Sequence, residues 1–215
     1  MTKSLQLLND RISAKRYVED FKLNDDQKTQ LLESIRLAPS SFGLEPFRAI
    51  LIENKEIRKE IQPAWWNQVG VTQSSALLIW VGYKEEYLTK THFIEQTERN
   101  IPNGFENIRE MMIGGATNVL STLEMSRDEW VARQAYISLG TVLNTAQELD
   151  LDVCPSEGFS AKEVGDVLAK HNLLDLENEK VLLGMFIGKV DTNQEFYHSF
   201  TKTRRPAQKA YSIVE

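Results

Sequence analysis

Cysteine is almost absent: Cys154 is the single one in 215 residues. That excludes an intramolecular disulfide and any cysteine-based metal cluster, and it fits a reducing, cytoplasmic setting. The three histidines, His92, His171 and His198, lie far apart. No pair has the spacing of helical metal ligands, so the sequence offers no zinc site. None of the 11 glycines falls into a Walker loop, a dinucleotide fingerprint or a nucleophile elbow. Long apolar runs are missing too, since the longest, Ala76 to Val81, is far too short to span a bilayer. The residues after Met1 lack the apolar core of a signal peptide. With 25 Lys plus Arg against 31 Asp plus Glu, the formal charge is -6. A general attraction to nucleic acid or to an anionic membrane is thereby excluded, and any anion site must be local.

What is present is ordinary in bulk, with 41% hydrophobic and 26% charged residues, enough for one sizeable core. No repeat, low-complexity tract or linker divides the chain, so residues 1–215 read as one domain. A short helix is expected over Ser4 to Asn9. Asn24 with Gln27 forms a capping box that opens a second helix, which Pro39 closes. Phe47 to Ile52 and Ser75 to Tyr83 read as strands, the second apolar throughout and hence covered on both faces. Asn54 to Gln62 reads as a charged helix. The stretch 84–125 reads as a helical insertion, broken at Pro102-Asn103-Gly104 and again at Gly114-Gly115. Ser126 and Glu129 cap a helix that is apolar or small nearly all round from Ala135 to Leu143, as a helix buried in a core or against another subunit must be. Asp150 to Pro155 and Val181 to Val190 read as the last strands, with a capped helix from Ser160 to about His171 between them. The tail, residues 191–215, shows no helix and must either fray or lie across a partner.

The chemistry-bearing feature is Arg11-Ile12-Ser13-Ala14-Lys15-Arg16-Tyr17. In extended backbone alternate side chains share a face, so Arg11, Ser13 and Lys15 would converge. Arg supplies a planar fork of donors, Lys a point charge and Ser a neutral donor, a set suited to phosphate. Taken alone, the stretch reads equally as a solvated basic turn. A second cluster, Lys202 and Arg204, has the same spacing of two. If the ends of the chain meet, four cations enclose one site. Between the clusters stand the turn Pro39 to Pro46, the amides Asn67 and Gln68 beside Trp65 and Trp66, and Pro155-Ser156-Glu157-Gly158. The glycine there lets a ligand approach the backbone.

Taken in order, these pieces resemble the FMN-dependent nitroreductase family, in particular its oxygen-insensitive NAD(P)H nitroreductase and dihydropteridine reductase branch. Arg11-x-Ser13-x-Lys15-x-Tyr17 is similar to that family's phosphate-binding start. Pro39-Ser40-Ser41 with Glu45-Pro46-Phe47 resembles its Pro-Ser-Ser segment leading into a strand, and Asn67 resembles its flavin-binding asparagine. Glu129-Trp130, Gln134, Tyr136 and Gly140 resemble its central dimer helix. Pro155-Ser156-Glu157-Gly158-Phe159 resembles its Pro-x-Glu-Gly-Phe turn, and Lys202-x-Arg204 with Pro206 its C-terminal clamp.

The resemblance implies an α+β fold with a mixed central sheet flanked by helices. It further implies an intertwined homodimer with exchanged C-terminal tails and FMN at the interface. Arg11, Lys15, Lys202 and Arg204 would neutralise the FMN phosphate beside Ile12, with Ser13 donating to it or to the flavin's ribityl chain and ring edge. Asn67 would bond the pyrimidine edge, Glu157 and Gly158 would present backbone N–H groups toward the flavin N5 and O4 region, and Pro155 and Ser156 would complete the cofactor-binding turn. Ser40, Ser41 and Phe42 would line the substrate side. NAD(P)H would serve as electron donor, and a nitroaromatic, a quinone or a related small molecule as acceptor, in a ping-pong hydride transfer. Flavin reduction, dehalogenation, flavin breakdown or flavin storage remain alternatives within the same fold. Gly70 departs from the branch, which often carries Lys or Gln there, and so implies a missing charge at the pyrimidine edge.

Overall fold

The architecture rests on a four-stranded sheet in the order β1-β2-β4-β3, with every neighbouring pair antiparallel. The strands are β1 (Phe47–Ile52), β2 (Ala76–Tyr83), β3 (Asp152–Ser156) and β4 (Glu179–Gly188). They belong to a computed structural model that describes residues 1–198 and 200–214. The implied mixed sheet has its one parallel pairing, among the described residues, in the isolated bridge between Ser13 and Val153.

Period-two alternation divides β2 between two cores. Leu77, Ile79 and Val81 face one with Ile61, Trp65, Val164, Leu168 and Phe186. Ala76, Leu78 and Trp80 face the other with Leu31, Ile35, Ala135, Leu139 and Val142. A strand buried on both faces has no room for polar alternation, which is why it reads as an unbroken apolar run. The first core is covered by α3 (Lys55–Ile61), the single turn α4 (Gly70–Gln73) and α9 (Ala161–Lys170), the second by α2 (Asp25–Arg36) and α8 (Arg127–Glu148). The Trp80 indole donates to the Ser138 hydroxyl at 2.7 Å, pinning α8 to the sheet.

The predicted caps form. Asn24 and Gln27 make both bonds of the capping box, and Ser126 and Ser160 accept from the Glu129 and Glu163 N–H groups. The insertion folds as α5 (Glu85–Tyr87), a π-helical turn over Leu88–His92, α6 (Phe93–Asn100) and α7 (Glu106–Thr122). The break at Pro102 to Gly104 is present, but the one expected at Gly114-Gly115 is not, for α7 runs through both. Two glycines lower helix propensity by about 1 kcal/mol each without forbidding helical backbone, and neighbouring turns carry them. A third cluster, Leu44, Leu88, Phe93, Leu120, Trp130 and Val131, seats the insertion. Helix α8 is less enclosed than its composition suggests, because Tyr136, Ile137 and Gly140 stay exposed along one stripe.

Candidate functional site

The basic stretch begins where α1 (Lys3–Asp10) ends. Arg11 leaves the helix in extended backbone, and Ser13 then runs parallel to Val153 of β3. Tyr17 fixes this path: it is fully buried, its hydroxyl donates to the Ala14 carbonyl at 3.1 Å, and its N–H donates to Gln73 at 3.0 Å. Gly188 lies against the Tyr17 ring, where a Cβ would approach to 2.8 Å.

The tail folds back onto this stretch. Tyr197 accepts from the Lys15 N–H at 2.7 Å. Arg11, Ile12 and Ser13 then line a cavity of about 270 Å³ with His198, Phe200, Lys202 and Arg204. The two basic clusters do meet. Among the described residues none of Arg11, Lys15, Lys202 and Arg204 pairs with a carboxylate. Burial, then the neighbouring Arg204, holds the Arg11 guanidinium below its usual range. Burial, then Arg11 and Arg204, does the same to the Lys202 ammonium. Cations that depress one another without a counter-charge form a site for an anion.

The four cations differ in what they have left to offer. Lys202 Nζ donates to the carbonyls of Leu8, of Asn9 at 2.7 Å and of Arg11 at 3.0 Å, so its donors close the C-terminus of α1. Lys15 does not line the cavity; its Nζ lies 3.2 Å from the sulfur of Cys154 in β3. Among the described residues, Arg11 and Arg204 each bond only the carbonyl of the adjacent residue, Ile12 or Thr203. Their remaining N–H groups, with the Ser13 hydroxyl, are the free donors.

Strand β3 leads from this cavity to the second half of the site. Pro155 sits where the strand turns its amide away from β4, so the missing N–H breaks no ladder bond. Beyond it the turn meets the segment 62–69. Trp65 is buried, donates to the Ser156 hydroxyl at 2.8 Å and stacks on Phe159 at 4.0 Å. Trp66 is 69% exposed and lies against Gly158, where a Cβ would meet its ring at 3.1 Å. Core packing therefore accounts for the first tryptophan and not for the second. Gln68 donates to the Gly158 carbonyl at 3.0 Å. Trp66 and Asn67 both have left-handed backbone, φ 52° and 56°. Such backbone in residues with side chains concentrates at binding sites. The Asn67 side chain and the N–H groups of Glu157 and Gly158 have no hydrogen-bond partner among the described residues.

Ser40, Ser41 and Phe42 are not brought to this turn. Ser40 accepts from the Glu45 N–H, the Ser41 N–H donates to Gln134 of α8 at 2.9 Å, and Phe42 takes φ 57°. Gln134 and Tyr136 point to opposite sides of α8, and Tyr136 bonds Glu157. The 40–42 loop thus lies across α8 from the turn within one chain. Gly70 is placed differently from its sequence expectation, since a Cβ there would meet the Phe186 ring at 2.5 Å, inside the first core. It is small to admit that ring, and a side chain there would enter the first core. His198, Phe200 and Tyr136 carry no signal as site residues in the sequence, because their places depend on where the tail and β3 run.

Fold and site together define an α+β protein with a cationic cradle at one end of a strand and a turn of free backbone donors at the other. A model of the nitroreductase family matches residues 8–189, and the chain belongs to that family. It is 25% identical over 179 residues to a Staphylococcus haemolyticus protein named "Putative NAD(P)H nitroreductase", covering 81% of this chain and 82% of that one. The fold matches an Exiguobacterium sibiricum protein solved in complex with FMN, at TM-score 0.76 and 20% identity, over 100% of this chain and 98% of that one. It also matches the NADPH:FMN oxidoreductase of Vibrio harveyi solved with NAD+, at TM-score 0.67 and 18% identity, over 100% of this chain and 78% of that one.

Proposed function

We propose that the protein is an FMN-dependent NAD(P)H oxidoreductase that reduces nitroaromatic, quinone or related small acceptors by a ping-pong mechanism, with residues 1–215 forming its FMN-binding domain. The observation that carries this reading is the meeting of Arg11 and Ser13 with Arg204 in a cavity that no carboxylate lines among the described residues. An elongated ligand with a phosphate at one end and a polar-edged ring at the other fits the donors present. Arg11, Ser13 and Arg204 would hold the phosphate, with Lys15 and Lys202 adding charge. Asn67 would hold one ring edge, and the Glu157 and Gly158 N–H groups the other, where oriented dipoles favour accumulating negative charge. When bound, FMN supplies the hydride-accepting and hydride-donating chemistry, and the protein supplies orientation and the exclusion of competing routes.

The reading includes a homodimer. The exposed stripe Tyr136, Ile137 and Gly140 on α8, the outer edge of β1 and the exposed residues Tyr211 to Val214 are surfaces a second copy would cover. A second copy would also bring a 40–42 loop to each Glu157 turn. Purified protein tests the cofactor: yellow protein, or protein that becomes yellow with FMN, supports the reading, and protein that stays colourless sinks it. Anaerobic NADPH or NADH should then bleach the flavin, and a nitroaromatic or quinone should recolour it. Bleaching without recolouring by either class would transfer the protein to one of the other activities of the fold.

A further inference from the structure

At its ends the turn 156–160 is fixed by the pairing of Ser156 with Gly184 of β4 and by Ser160 capping α9, and between them it is held by bonds from two directions. Three come from the segment 64–68: Trp65 Nε1 to the Ser156 hydroxyl at 2.8 Å, Gln68 Nε2 to the Gly158 carbonyl at 3.0 Å, and the Ser160 N–H to the Ala64 carbonyl at 2.8 Å. One comes from the opposite side, where the Tyr136 hydroxyl of α8 donates to the Glu157 carboxylate. Glu157 is exposed, and while its carbonyl accepts from the Phe159 N–H at 2.9 Å, its carboxylate has no other hydrogen-bond partner among the described residues. Its side chain is therefore fixed by Tyr136 alone.

We infer that Tyr136 is a positioning residue for the Glu157–Gly158 turn: by holding the Glu157 carboxylate on α8 it keeps the two free N–H groups aimed at one ligand. The ligand's identity rests on the FMN reading above, whereas the tether does not. Two effects act in the same direction. A turn with Glu157 released would sample orientations in which its N–H groups diverge, weakening a dipolar site whose value lies in being preorganised. A carboxylate without its donor would also place an unrelieved negative charge beside a group that gains negative charge on reduction. Tyr136 is suited to the task because burial, then the bond to Glu157, pushes its ionisation far above the ordinary phenol range, so it stays a donor.

Hydrogen exchange in the apoprotein tests the tether, and redox titration of the FMN-loaded protein tests its consequence. Tyr136→Phe keeps the ring and should lower protection of the amides in 156–160 by about tenfold, the worth of one hydrogen bond. Glu157→Ala removes the acceptor instead and should do the same. Glu157→Gln retains a carbonyl oxygen for Tyr136 and should keep the protection. In loaded protein Tyr136→Phe should lower the flavin midpoint potential, and Glu157→Gln should not. Wild-type protection in both Tyr136→Phe and Glu157→Ala overturns the inference, as does an unchanged potential in Tyr136→Phe. If wild-type protein binds no FMN, the functional reading falls, and exchange in the apoprotein still decides the tether.

Discussion

Lys202 and Arg11 are 191 positions apart in the chain, yet Lys202 Nζ donates to the Arg11 carbonyl at 3.0 Å. The contact closes the chain on itself at the end of α1 and places Arg204 beside the Arg11 guanidinium. It also separates two roles that sequence alone merges. Lys202 is a helix cap whose charge adds to the site, while Arg11 and Arg204 hold the free donors.

That division predicts a distinct phenotype for Lys202→Ala. Removing a cation from a helix C-terminus costs about 0.3–1 kcal/mol. Thermal or urea denaturation should show that loss in the absence of ligand. FMN affinity should fall less than in Arg11→Ala, and an equal fall would assign Lys202 to the phosphate directly.

Gly70→Lys tests the two meanings of that glycine. Because the Phe186 ring occupies the place of a Cβ at 2.5 Å, overpacking should destabilise the fold by about 1–3 kcal/mol or more. A stable Gly70→Lys protein with a shifted flavin potential would instead restore the reading in which position 70 faces the flavin.

Gly114→Ala should do the reverse. The glycine lies inside α7, and a Cβ added there would meet nothing within 4 Å, so alanine should add about 0.5–1 kcal/mol of stability. A lower melting temperature would show that the helix yields at that point.

His92 makes stability depend on pH. Its ring lies 2.6 Å from the Leu44 carbonyl, and burial holds its ionisation below the ordinary histidine value, against the opposing effect of backbone hydrogen bonds. The unfolded chain therefore binds a proton that the folded one does not, between the folded and unfolded values. Stability from this residue is full above the unfolded value of about 6.5 and is lost as pH falls toward the folded one. Urea titrations at neutral and mildly acidic pH should show a smaller loss in His92→Gln than in wild type.

Much of the fold was legible because local rules decided it. The Asn24–Gln27 box, the apolar run of β2 and the capped starts of α8 and α9 each stand where spacing and side-chain chemistry put them. Gly114-Gly115 misled because propensity is weak beside the context of a long helix. In the site, the spacing of Arg11, Ser13 and Lys15 suggested convergence, and the structure divides it: Arg11 and Ser13 face the cavity, while Lys15 turns to Cys154. The Tyr136–Glu157 and Gln134–Ser41 bonds join residues from different elements and have no signature in either segment. They are properties of packing, and only the folded chain displays them.

In the proposed function Arg11 and Arg204 grip a phosphate. Equilibrium binding of FMN and of riboflavin, which lacks the phosphate, to wild type and to Arg11→Ala/Arg204→Ala tests it most directly. Two charge-assisted contacts at about 1.5–3 kcal/mol each predict that wild type prefers FMN by roughly a hundredfold to ten-thousandfold, and that the double variant loses most of that preference. Equal affinity of wild type for the two flavins, or an undiminished preference in the double variant, would contradict the account.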